Sequence, residues 1–565
     1  MIKNRIKALR NKFIQNNIDG YIVPKNDKFF SEYVYHDRLK IISGFNGSAG
    51  LAIILKNKNY LFVDGRYTIQ AKQQSGKNFK IIEIHKFLPQ KTLKNLTLGY
   101  DPKLFTKTVL NIYFGNSLKL KSIDRNLVDS ISNKKTSNYK PFYSINDSIV
   151  GEAYKSKISS VSKILKNKKV DYLFISAPEN VAWILNIRGS DVPYSPIPNC
   201  NLIIEKNKKV FLIAEKFKIM KLLKEKKIRK DKIVDPKNLS EFIKNLNGKR
   251  FIIDAKTCSV FNEKIITSKF LITSRFDPCY SLKSIKNSVE IKHMINAHIE
   301  DGVALTKFIF WMKNLGNKKI SELQTQNKLE NFRKKNKNYL FPSFNTIAGT
   351  GSNGAIVHYK ATKKSNKIVK KNHLFLCDSG GQYSYGTTDV TRTICFTKQP
   401  NQIKNIFTKV LKGHIAVVTS NLSKITTGKQ LDTKARKFLK KSGLDYAHGT
   451  GHGVGFFLNV HEGPQSISKY NLVKLQEGMI LSNEPGYYKK GKYGIRIENL
   501  VFIRKNKNKL GFENLTLAPI DKDLINYKLL NNYEKDYLFR YHLLVYSKLS
   551  KFLNNNEKKW LISTF

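Results

Sequence analysis

The sequence predicts a mixed α/β protein built from about three domains, an expectation that rests on three observations. At 565 residues the chain is too long for one hydrophobic core. Its first half alternates helical patterns with short buried-strand runs, and does so twice on the same plan. From residue 287 a long amphipathic helix leads into strands that each end at or near a carboxylate.

The elements follow in order. Residues 1–14 carry apolar side chains at helical intervals, with no apolar stretch long enough for a secretory signal. Residues 19–23, 51–55 and 60–63 are buried-strand runs bounded by glycine and charged turns. A basic helix, then residues 170–175, 201–204 and 210–213, repeat the plan, which suggests a duplicated α/β fold. At 287–290 Asn287 can cap a helix and Glu290 can reach back, and the helix continues through Ile291, Ile295, Leu305, Phe308 and Met312. Residues 374–381 read as a buried strand ending at Asp378, and 387–396 as the strand that returns with Asp389. Alternation along the first strand points Cys377 away from Asp378. Residues 448–455, HGTGHGVG, embed His448 and His452 in glycines, which let backbone pass close to an ion or substrate, and His461 follows in VHEGP. Glu484 precedes Pro485, which forces it extended. Residues 494–500 read as one alternating strand with Arg496 and Glu498 on the same face. Residues 527–565 read as helical, with Tyr537, Leu538, Tyr541, Leu544 and Val545 on one side.

Asp378, Asp389, Glu484 and Glu498 would repel one another if gathered, and burying them unpaired would cost several kcal/mol or force protonation. Two divalent cations would balance them. An oxygen-rich set with a single histidine suits Mn or Co better than a thiolate-type zinc site. Spread over the surface, the same acids would instead be ordinary partners for lysine.

Composition narrows the setting. The five cysteines, Cys200, Cys258, Cys279, Cys377 and Cys395, are odd in number and scattered, which argues against a disulfide framework and for a reducing, cytoplasmic compartment. No run approaches the roughly 20 apolar residues of a membrane span. The net charge of +59 raises the question of a polyanion partner. Lysine is strewn in ones and twos from end to end, however, as on solvated faces, and this pattern does not favour nucleic acid.

The order Asp378, Asp389 eleven residues on, His452, Glu484 and Glu498 resembles the dinuclear-metal signature of the pita-bread metallopeptidases, and within them the large aminopeptidases P. Residues 44–50, 63–67, 182–192, 354–359 and 514–520 match as well, so the resemblance spans almost the whole chain. It implies two creatinase-like N-terminal α/β domains (1–143 and 144–285), a pita-bread catalytic domain (286–511) and a C-terminal helical extension (512–565). It implies hydrolysis of the bond between an N-terminal residue and a following proline by a metal-bridging hydroxide. Asp389 and Glu498 would bridge two ions, Mn first with Co or Zn as alternatives, while Asp378 holds one ion and His452 with Glu484 the other. Glu484 would also shuttle a proton. His358, His448 and His461 match positions that line the substrate, and Arg496 would anchor a ligand carboxylate. The implied partners are peptides with proline second and a second copy of the chain, for which the apolar side around Tyr537, Tyr541 and Leu544 is a candidate covering surface. Prolidase, which cleaves only dipeptides, is the alternative with the same ligands. Metal-free creatinase-like hydrolysis and a non-enzymatic binding module stand further off, because every ligand is retained.

Overall fold

The computed structural model describes residues 2–115, 117–132 and 140–565. Residues 133–139, inside the first expected domain, lie outside the described residues, as do positions 1 and 116. The chain divides into two compact units, residues 1–280 and 281–565.

The first unit contains two six-stranded sheets of one topology. In the first the order is Lys80–Glu83, Asn59–Val63, Leu51–Leu55, Gly20–Pro24, Thr97–Tyr100, Lys119–Ser122. In the second it is Ile233–Val234, Val210–Ile213, Asn201–Glu205, Tyr172–Ile175, Arg250–Ile253, Leu271–Ser274. Each has two central antiparallel pairings flanked by parallel ones in the same succession. The duplicated plan read from the sequence is therefore matched strand for strand. Alternate residues feed two cores: Tyr21, Val23, Ala52, Ile54 and Leu61 pack on one face of the first sheet, and Ile22, Leu51, Ile53, Tyr60 and Phe62 on the other. A sheet covered on both faces needs such continuous apolar runs, and each fully buried Leu, Ile or Phe contributes about 1.5–3 kcal/mol.

The second unit opens with the helix Ser288–Lys313, capped by Asn287 and Glu290 in a reciprocal capping box. Its buried stripe runs through Met294, Ala297, His298, Asp301, Leu305, Phe308 and Met312, whereas Ile295 is exposed, so the stripe is more polar at its start than the sequence reading expected. Asp301 explains this, for it accepts from Arg333, Tyr383 and Thr388. The strands Ile347–Thr350, Phe375–Ser379 and Val390–Ile394 form one antiparallel sheet. A second sheet runs Glu462–Ile467, Gly451–Gly453, Ile480–Asn483, Asn499–Asn506, Lys509–Asn514.

Three elements expected to be continuous are broken. The strand expected over 387–396 is split between the hairpin strand Gly386–Thr387 and Val390–Ile394, because the Thr388 hydroxyl is spent on Asp301 and the Gly381 amide. The strand expected over 494–500 ends at Arg496 and resumes at Asn499 in another sheet. Between them the Glu498 amide donates to the Thr391 carbonyl and its own carbonyl accepts from Arg392. The C-terminal helix is two helices, Asn532–Leu549 and Asn555–Ile562, the second capped by Asn554 and Glu557. Tyr541 and Val545 are buried in the unit's own core, with Tyr537 and Leu544 packed against it, so the side expected to cover a second copy is spent internally.

Candidate metal centre

Each acid reaches the site from a different strand end. Asp378 sits in Phe375–Ser379, opposite Thr391. Asp389 directly precedes Val390–Ile394, Glu484 follows Ile480–Asn483, and Glu498 lies in the break before Asn499–Asn506. His452 is the middle residue of Gly451–Gly453. A Cβ on Gly451 would lie 1.9 Å from the Ser482 carbonyl oxygen, so only glycine allows the histidine strand this close to the strand that leads to Glu484. Cys377 packs into the core with Leu305 and Phe375.

Asp378, Asp389 and Glu498 bring carboxylate oxygens within 4.8 Å of one another, and so do donor atoms of His452, Glu484 and Glu498. Glu498 is common to both groups. The His452 ring directs Nδ1 at the Gly453 carbonyl, 2.9 Å away, which keeps the proton there. Its Nε2 then presents a lone pair toward Asp389 Oδ2 at 3.4 Å and Glu484 Oε1 at 3.7 Å. His461 stands edge-on to His452 with ring centroids 4.4 Å apart, and forms a third cluster with Asp389 and His452.

Burial and the neighbouring carboxylate of Asp378 push Asp389 up to about 6, and burial with Asp389 beside it raises Glu498 well above the usual carboxylate range. Arg496 is the buried cation paired directly with one of these acids. Arg496 donates from Nη2 to Asp378 Oδ2 at 2.5 Å, from Nη1 to the Tyr488 hydroxyl at 2.6 Å and from Nε to Thr391 Oγ1 at 3.0 Å. Thr391 in turn donates to Glu498 Oε2 at 2.6 Å. Asp378 Oδ1 is buried and has no hydrogen-bond partner among the described residues. An unsatisfied buried carboxylate oxygen beside acids whose ionised forms are disfavoured by burial and mutual repulsion fits a site shaped for divalent cations.

His448 faces the same network from the side: its Nε2 is 2.9 Å from the Tyr488 hydroxyl, which links it through Arg496 to Asp378. His358 lies in the loop after the turn Gly351–Asn353 and beside buried Tyr359. That loop is organised by Glu322, whose carboxylate accepts from the Thr350 and Lys367 amides, Asn353 and the Tyr359 hydroxyl.

Sequence reasoning missed Tyr488, Glu322 and Arg392. Arg392 is buried and donates to the carbonyls of Thr391, Glu498, Ala518 and Pro519, to Asn499 and to the Tyr541 hydroxyl. The available signal was an arginine inside a strand otherwise made of Val, Thr and Ile, where only a fully satisfied guanidinium is tolerated.

The model of metallopeptidase family M24 matches residues 292–505, and the C-terminal region of peptidase M24 matches 508–564. The creatinase/prolidase N-terminal domain matches twice, over 5–129 and 133–290. A probable Xaa-Pro aminopeptidase P of Coprinopsis cinerea is 37% identical, over 99% of this chain and 97% of its own length. The crystal structure of an X-prolyl aminopeptidase from Caenorhabditis elegans, described as a cytosolic enzyme with a di-nuclear active site, superposes with a TM-score of 0.92 at 30% identity, over 100% of this chain and 99% of that one. A prolidase from Pyrococcus furiosus is similar over 63% of this chain and 98% of its own, with a TM-score of 0.51 at 26% identity. A chain with twin creatinase/prolidase N-terminal domains, a carboxylate-rich centre in an M24 domain and relatives aligned end to end belongs to metallopeptidase family M24, among the Xaa-Pro aminopeptidases P.

Proposed function

We propose that the protein is a metal-dependent aminopeptidase that hydrolyses the bond between an N-terminal residue and a following proline. The observation that carries this reading is the gathering of Asp378, Asp389 and Glu498 in one group and His452, Glu484 and Glu498 in another, joined through Glu498, with the buried Arg496 guanidinium paired to Asp378. Asp389 and Glu498 would be shared by two ions, Asp378 would complete one, and His452 with Glu484 the other. The chemistry two divalent ions, Mn or else Co, would supply when bound there is activation of water at neutral pH and polarisation of the scissile carbonyl.

The chain's own groups do the rest. Arg496 holds Asp378 in one orientation through a charge-assisted bond and braces Tyr488. Tyr488 fixes the His448 ring, and His448 and His461 would bind the substrate carbonyl and stabilise its developing negative charge, joined by His358 from its loop. Glu484, with a side chain 19% exposed, is the most open of the four acids and would carry the proton to the leaving nitrogen. Proline substrates suit a centre that works by metal and imidazole, since an imide nitrogen has no hydrogen for a backbone-gripping peptidase to hold.

The domain division 1–143, 144–285, 286–511 and 512–565, a homodimeric state and a cytoplasmic location belong to the same reading. No described helix is long and apolar enough to cross a membrane. The deciding experiment compares an Xaa-Pro-Yaa tripeptide with an Xaa-Pro dipeptide before and after exhaustive chelation. Cleavage of the tripeptide that disappears with the metal and returns with Mn or Co supports the proposal. Activity confined to the dipeptide would replace it with prolidase, and full activity after chelation would remove the metal from the chemistry.

A further inference from the structure

Glu462 follows His461 in the sequence, and it is the centre of a buried ionic triad outside the metal centre. Lys283 Nζ lies 3.1 Å from Glu462 Oε2, and Lys286 Nζ contacts Glu462 Oε1. The three side chains are only 2%, 1% and 1% exposed. Lys283 lies in the last turn of the helix Pro278–Ser284 and Lys286 just beyond it, where the chain is tied down: the Lys286 amide donates to the Gly478 carbonyl at 3.0 Å, and Ile285 bridges Met479 at the foot of the strand that leads to Glu484.

The position of Glu462 connects this triad to both histidines. Glu462 is paired across the ladder with Gly453, next to a bulge at His452. A Cβ on Gly453 would come within 2.5 Å of the Glu462 carbonyl oxygen, and one on Gly455 within 3.2 Å of Glu462 Oε2. His452 and His461, the sequence neighbours of this pair, touch ring to ring.

We propose that Lys283 and Lys286, acting through Glu462, are positioning residues that hold His461 against His452 in the orientation the reaction needs. This rests on the aminopeptidase reading above. Three buried charges with a net of +1 are a poor way to gain stability, because apolar side chains of the same volume would fill the space without desolvation. What they supply is direction. Apolar contact is non-directional, whereas a carboxylate gripped at both oxygens by two cations has one orientation, and it fixes the backbone that bears His461.

The test uses Lys283→Met and Lys286→Met in the full-length, metal-loaded protein, with Lys286→Arg as the conservative variant. Each methionine variant leaves one lysine against one carboxylate, a neutral pair, so folding is preserved. The expected result on the tripeptide is a kcat lowered roughly 10- to 100-fold, as for a misplaced catalytic group, with KM changed less than about twofold. Metal content and melting temperature stay at wild-type values, and Lys286→Arg restores most of kcat. A second readout is independent of substrate: in protein labelled with 15N-histidine and loaded with diamagnetic Zn in place of Mn, the His461 imidazole resonance, identified by its loss in His461→Gln, moves in both methionine variants and returns in Lys286→Arg. An unchanged kcat per metal-loaded molecule, or an unmoved His461 resonance, overturns the proposal. A wild-type protein that fails to cleave the tripeptide overturns the aminopeptidase reading instead, and the histidine spectra still decide the positioning role.

Discussion

His452 and His461 share one ring contact but present different chemistry. With Nδ1 committed to the Gly453 carbonyl, His452 offers Nε2 to Asp389 and Glu484, so His452→Ala should weaken metal binding itself. His358→Ala and His461→Ala should keep both ions and lose kcat by about 100-fold or more. Metal analysis beside kinetics separates the two classes, and equal metal loss in all three variants would erase the distinction. The acids predict a pH dependence as well. Metal binds the ionised carboxylates, and Asp389 at about 6 and Glu498, raised well above the usual carboxylate range, take up protons as the pH turns acidic. Metal affinity should therefore fall as pH drops through about 6. Buried His414 and His542, held neutral and lowered to about 3 and about 4, also cost stability as pH falls below their ordinary range, because the unfolded chain takes up their protons first. The quantity to follow is accordingly the Mn-induced rise in melting temperature, large at pH 7.5 and shrinking toward pH 5. A rise independent of pH would mean that the metal displaces no protons from these acids.

Among the elements, the strand Val390–Ile394 does the most to hold the centre in shape. It begins beside Asp389, pairs with the strand of Asp378, gives Thr391 to Glu498 and Arg496, and places Arg392 on the opposite face among carbonyls. Arg392→Met would strand several buried acceptors, each costing about 1–3 kcal/mol, so a loss of at least about 3 kcal/mol is expected, together with weaker metal binding as Glu498 is released. Thermal unfolding with and without Mn checks both parts. Much of this region was legible beforehand. The capping pair Asn287 and Glu290, the apolar run before Asp378 and the glycines around His452 are local signals, and local signals survive in a sequence. The breaks at Thr388 and Glu498 were not legible, because each depends on partners 87 to 107 positions away, Asp301 for the first and Thr391 and Arg392 for the second. The pairing of Arg496 with Asp378 across 118 positions follows from sheet register and not from spacing. The break between the two C-terminal helices did carry a readable sign in Asn554 and Glu557, the same capping signature that marked Asn287.

At the scale of the molecule, two terms compete in self-association. A net charge of +59 per chain makes two copies repel, and salt screens that repulsion over about 8–10 Å at physiological strength. A homodimer should therefore tighten as salt is raised, the reverse of a polyanion complex, and sedimentation across a salt series would show it; a monomer at every salt concentration would reject the dimer. The contacts of Arg392 carry a different consequence. The carbonyls of Ala518 and Pro519 and the hydroxyl of Tyr541 lie C-terminal to every acid of the centre. All five candidate ligands thus precede, in the chain, the groups that satisfy the arginine holding the Glu498 carbonyl. The backing of the centre is therefore completed from the far end of the chain: a polypeptide stopped short of residue 518 would carry all the acids yet leave the Arg392 guanidinium without three of its acceptors.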